Sequence, residues 1–171
     1  MVTMSGFSRN RGDRSPTQKL LAAALLVVAT SGTAWSGEIA DRLSHITDAK
    51  TFARLLGDSR EEAAIAAKPF TLFVPVDSAF AKLPSGALAS LTGPGNADRL
   101  RRFVLFHAVP RAYAESDLSG KEMDVTTIAG GTLDVDADDG PIVIDKATVI
   151  GEEISLPNGV IHLVDRVLVP H

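Results

Sequence analysis

The chain has 171 residues, 45% of them hydrophobic and 22% charged, with a formal net charge of −4 and no cysteine. That length supports one packed core rather than two domains. The acidic balance gives no electrostatic reason to approach a nucleic-acid backbone, and the absence of cysteine excludes disulfides, thiol catalysis, thiolate metal sites and lipidation at cysteine.

In residues 1–36, Arg9, Arg11, Arg14 and Lys19 precede the apolar run LLAAALLVVA, and small residues follow, with Ala34 and Ser36 spaced as an A-x-S cleavage site. This pattern predicts a secretory signal peptide over 1–36 and one domain over 37–171. The apolar run spans about 15 Å as a helix, half of a bilayer core, so no stable membrane anchor is expected after cleavage. Without the four basic and one acidic residues of that segment, the domain carries 13 Lys and Arg against 20 Asp and Glu. An exported, acidic domain without cross-links must be held by its apolar core.

From residue 38 to about 106 the apolar spacing is mostly helical. Ile39, Leu43 and Ile46 form one stripe; Asp48 is placed as an N-cap before Phe52, Leu55 and Leu56, with Gly57 as the stop. SREEAAIAA, from Ser59, has an N-cap and an acidic first turn. In FTLFVPVDSAFAKLP, residues 70–84, a short β run breaks at Pro75 and a helix starts at Asp77. The Asp77 carboxylate is placed to accept the free amides of that turn, and Phe80 points into the core. SGALASL and NADRLRRFVLF continue the helical half, the second with Leu100, Phe103 and Val104 on one face. His107 follows, read as a helix C-terminal residue whose partly protonated ring meets free carbonyls. From Val109 the period approaches two, with TLDVD, PIVI, ATVI and VIHLVDRVLV as strands. Helices first and strands after predict an α+β fold with an antiparallel or mixed sheet.

Four chemical readings fail on spacing or context. DVDADDGPIVID places acidic residues at positions 1, 3 and 5 of a calcium loop, but Gly140 falls one place late and the last position is aspartate. ADDG is therefore read as a hairpin turn. His162 and Asp165 stand three apart on a strand, on opposite faces, which defeats a hydrogen-bonded dyad; the histidine is expected to be satisfied by a local bond and the aspartate to sit at a turn before Arg166. His107 and His162 lack a third ligand and any H-x-x-x-H spacing, so no metal and no cofactor are expected. Ser78, Ser116 and Ser155 have no nucleophile elbow around them, and an enzyme is the minor alternative.

The T-x-F-x-P strand followed by D-x-A-F-x-x-L-P resembles the first signature segment of the fasciclin, or FAS1, family. LRRFVLFHAVP is similar to the family's helix-to-strand segment, with Phe106 where a tyrosine is usual and Arg111 where a glycine often follows. Asn158, Gly159, His162 and Asp165 stand in NGVIHLVDRVLVP, which resembles the family's closing segment. The resemblance implies a single FAS1 domain, helices packed on a β-sheet wedge, with Asp77, Phe80, His107, Asn158, Gly159, His162 and Asp165 as structural motif residues. It also implies a non-catalytic module for cell adhesion or contact with surface and matrix components, either protein or polysaccharide. In some adhesive members an acidic residue followed by Ile, just before N-G-V, contacts a receptor; Glu153 and Ile154 match it, against the plainer reading of a solvated loop glutamate beside a core isoleucine. A stress-related or structural exported protein is the alternative.

Overall fold

The computed structural model describes residues 37–138 and 140–170; the expected signal peptide lies outside them. The helices are α1 (Glu38–Ser44), α2 (Lys50–Ser59), α3 (Glu62–Ala66), α4 (Asp77–Ala81), α5 (Ala87–Thr92), α6 (Ala97–Phe106) and α7 (Glu115–Leu118). The strands are β1 (Phe70–Pro75), β2 (Ala108–Val109), β3 (Glu122–Thr126), β4 (Thr132–Asp136), β5 (Val143–Ile144), β6 (Ala147–Leu156) and β7 (Gly159–Val164). They form one sheet in the order β2-β1-β7-β6-β5-β4-β3. β1 and β7 run parallel, Phe70 opposite Gly159 and Pro75 opposite Val164, and the remaining pairs are antiparallel. The sheet is therefore mixed and the class α+β, as the order of periods predicts.

β1 is buried along its whole length, and its side chains alternate between two cores. Phe70, Leu72 and Val74 join Phe52, Leu56, Phe103 and Ile161 under the helices. Phe73 faces the other way, into a second core with Phe106, Val125, Leu133, Ile144 and Val164. Phe80 is buried in the first core against Phe103, as its helical position implies. The alternation of TLDVD is the cleanest strand signal in the chain, because only Leu133 and Val135 turn inward.

Several local readings change. α2 runs through Gly57 to Ser59 and ends at Arg60, which takes a left-handed φ of 59° and donates its N–H to the Gly57 carbonyl. Ala49, not Asp48, occupies the N-cap position of α2. β4 and β5 do form an antiparallel pair, Val135 and Asp136 opposite Ile144 and Val143, as a hairpin requires. GEEI, read as a loop, belongs to β6, where the pairing with β7 is irregular between Ile150 and Ile154. Arg111 needs no left-handed backbone, since it is absent from the positive-φ residues.

Gly159 is required by proximity. A Cβ there would lie 2.6 Å from the Phe70 ring, buried on the neighbouring strand. Gly159→Ala is expected to destabilise the domain by about 1–3 kcal/mol through overpacking; a urea midpoint equal to wild type would refute this account of the close approach.

Candidate functional site

His107 sits at the C-cap of α6 with no solvent exposure. Its Nδ1–H donates to the Phe103 carbonyl at 2.8 Å, and the Leu168 N–H donates to Nε2 at 3.2 Å. One nitrogen must donate and the other accept, which is the neutral ring. Burial lowers its pKa from 6.5 to about 4, only partly opposed by the Phe103 bond. The expected C-terminal position is correct and the expected partial protonation is not: a charged ring would lose Leu168 as a donor. Phe52 and Phe103 flank it, at 5.3 and 4.5 Å between centroids. His107 is thus a tie between α6 and the segment after β7.

His162 occupies the opposite face of the sheet, stacked on Phe73 at 5.8 Å. Its Nε2–H donates to the Tyr113 carbonyl at 2.9 Å, a long-range bond rather than the local one expected. Thr71 completes this junction, donating to the Arg111 carbonyl and accepting the Tyr113 N–H, both at 2.8 Å. Asp165 is bonded elsewhere: Oδ1 accepts the Thr148 N–H at 2.8 Å and Oδ2 lies 3.4 Å from Lys82 Nζ. Burial raises its carboxyl pKa, but the Thr148 amide, Lys82 and Arg166 outweigh this and hold it below the ordinary value. His162 and Asp165 form no dyad, as the strand alternation predicts. Asn158 donates its side-chain amide to the Ala66 carbonyl, and its own carbonyl accepts the Phe70 N–H, joining the β6–β7 turn to the start of β1.

The acidic residues serve helices remote from their own. Asp77 does not cap α4; its Oδ1 accepts the Thr51 N–H of α2 at 2.8 Å, while its N–H donates to the Asp48 carbonyl. Burial raises its pKa, but the Thr51 side chain and the Thr51 and Lys50 amides outweigh this and lower it overall. Glu62, buried in α3, accepts the Ile39 N–H of α1 at 2.6 Å. Glu153 accepts the Glu115 N–H at the start of α7 at 2.7 Å. Each carboxylate meets the positive end of a helix that carries no capping side chain at its own N-cap. Glu153 is therefore a half-buried strand residue with a partner, and Ile154 is half-buried against the first core, opposite Ile161 on β7.

The family model described as Fasciclin domain matches residues 47–170 of this chain. The chain belongs to the fasciclin family. It is similar to protein sll1483 of Synechocystis, 39% identical over 109 residues that cover 64% of this chain and 59% of that protein. It is also similar to protein sll1735 of the same organism, 33% identical over 128 residues, 75% of this chain and 90% of that protein. Among solved structures, a FAS1 domain pair from the insect cell adhesion molecule Fasciclin I aligns with a TM-score of 0.56 at 19% identity, covering 70% of this chain and 44% of that one. The fasciclin fold is thus shared where little sequence is.

The sequence does not reveal the partners of the motif residues, Asp77 among them, and it gives no sign of the roles of Glu62 and Thr71, which depend on contacts from distant segments. Among the described residues no group of three or more His, Cys, Asp or Glu could hold a metal ion, and no helix is long and apolar enough to cross a membrane.

The buried neutral ring sets a pH dependence. The folded pKa of His107 lies below the unfolded value of 6.5, so between those values the unfolded chain binds a proton that the folded chain does not. Stability is full above the unfolded pKa and falls as pH drops from 6.5 through about 4, by on the order of 3 kcal/mol. Asp77 and Asp165 add a loss of the same sign, at pH below the ordinary carboxylate range. Denaturant melts from neutral pH to acid should show this slope in wild type and a shallower one in His107→Ala. That variant should itself cost about 2–5 kcal/mol at neutral pH. Equal slopes would mean that the ring is not the titrating group.

Proposed function

We propose that the protein is an exported, non-catalytic fasciclin binding module that contacts cell-surface or matrix components, protein or polysaccharide. The observation that carries this reading is that the motif's polar side chains are bonded within the fold, His162 through Nε2 alone, since its buried Nδ1 has no partner among the described residues. His107 is committed to Phe103 and Leu168, His162 to Tyr113, Asp77 to α2 and Asp165 to Thr148. Groups so committed hold backbone in place rather than meet a reacting substrate. The structural likeness to a domain pair from a cell adhesion molecule supports the same reading, and the signal-like segment over 1–36 supports export.

The face proposed for contact is the irregular part of β6. Between Ile150 and Ile154 the strand leaves its register with β7, and such irregularities re-aim side chains. Here Glu152 is exposed, and Glu115, Ser116 and Ser119 of the α7 region border the same shallow depression as Glu153. Ile154 opens on the other side toward Asp41, His45 and Ile46.

The cap made by Glu153 dictates the choice of variants. Glu153→Ala would remove both the charge and the bond to Glu115, whereas Glu153→Gln keeps a carbonyl acceptor for that amide. With a partner recovered by immobilised protein from envelope and surface extracts, surface plasmon resonance should show roughly tenfold weaker binding for Glu152→Ala and for Glu153→Gln. Glu152→Ala should keep the wild-type melting temperature, since exposed changes usually stay within about 0.5 kcal/mol, while Glu153→Gln, which keeps the acceptor and loses the charge at the start of α7, should cost no more than about 1 kcal/mol. Wild-type affinity in both variants would reject this face.

A further inference from the structure

α5 differs from the other helices among the described residues: none of its residues is buried. Its apolar side, Leu88 and Leu91, is only half-covered. Between α5, α6 and the segment after β7 runs a groove of ≈ 250 Å³, floored by Leu83, Leu91, Phe103 and Val167 and edged by Val169. Val169 is 60% exposed, one of two large hydrophobic residues left open among the described residues. The packing here is unfinished, in contrast to the closed cores on either side.

Two cations stand on the rim. Arg99 and Arg102 line the groove from α6, one turn apart and on the same side of the helix. Both are exposed, and neither takes part in an ion pair among the described residues, whereas the neighbouring Arg101 is held by Glu61 at 3.0 Å. Two unpaired guanidinium groups over an apolar trough, on a chain of negative net charge, are complementary to a molecule with an anionic head and an apolar body. Guanidinium groups match a carboxylate in geometry and charge, and the trough would take the hydrocarbon from water. Its modest volume lies below that of a typical drug-sized pocket, which points to a single aliphatic chain.

We propose that this groove is a binding site for an amphipathic aliphatic carboxylate, with Arg99 and Arg102 on the head group and Leu83, Leu91, Phe103 and Val169 around the chain. The site is separate from the α7–β6 face and does not depend on it. His107 sets the spacing of its walls, because the ring bonds both Phe103 on one wall and Leu168 beneath the other. A ligand seated there would cover the open flank of α5 and join that helix to the closing segment.

The probe is sodium decanoate below its micellar concentration, titrated calorimetrically into the full chain at neutral pH, with decan-1-ol and decyltrimethylammonium as head-group controls. The expected result is saturable decanoate binding, roughly tenfold weaker in the double variant Arg99→Ala/Arg102→Ala, with both controls weaker than decanoate in wild type. Both arginines are exposed and without ion pairs, so the variant should keep the wild-type melting temperature; Leu91→Glu, which puts a charge in the trough, is the second variant and should also lose binding. Failure of decanoate to saturate, equal binding by the double variant, or equal binding of decan-1-ol overturns the proposal. So does a concentration-dependent dimer of the free protein that the double variant dissolves and decanoate leaves intact, since the groove would then be an interface between copies.

Discussion

The bond pair around His107 joins α6 to the segment after β7. The ring takes one hydrogen bond from the last segment and gives one to the helix before it, inside a shell of Phe52 and Phe103. A lysine or arginine could only donate there, and a carboxylate could only accept; neutral imidazole does both at one site. The cost is a group that must be stripped of water and kept uncharged, and the surrounding core is shaped to that requirement. β1 and β7 then lie in register between the two cores, and the helices pack on the side of the sheet that His107 closes.

The helices are short, none exceeding ten residues among those described, and helices of that length are marginal without tertiary support. The fold supplies support through charge as well as burial. Asp77 of α4, Glu62 of α3 and Glu153 of β6 each reach across the chain to the N-terminal amides of another element, a helix in every case. A local cap stabilises a helix wherever that helix is; a remote cap stabilises it only when docked. The acidic composition is thereby put to use in specifying the arrangement of elements as well as in keeping the surface charged.

This division also explains what the sequence reveals and what it conceals. The strand at β1, the inward turn of Phe80, the pairing of β4 with β5 and the separation of His162 from Asp165 follow from near neighbours and alternation, so periodicity and turn chemistry show them. Asp77 misleads because a carboxylate at the start of a helix looks like the cap of that helix, when its partner lies on α2. Gly57 misleads because its backbone stays helical and Arg60 makes the left-handed turn instead. α7 has four residues and β3 alternates acidic with apolar residues over only five, too little pattern to stand out from a loop. At the candidate contact face the identity of Glu153 and Ile154 is legible, while the strand around them and the bond to Glu115 are products of the folded chain.

The sheet order carries a consequence for how the protein is made. β1 is flanked by β2 on one edge and by β7 on the other, and β7 is the last strand among the described residues. Phe70 must wait for Gly159, and Phe73 for His162, before the middle of the sheet exists. Contacts so distant in sequence impose a large loop-closure cost and slow the search. The first core takes Ile161 of β7 as well as the early helices, so its packing is complete only once β7 has joined β1. A sheet whose centre joins strands so far apart in sequence leaves the early part of the chain accessible to chaperones until that pairing forms.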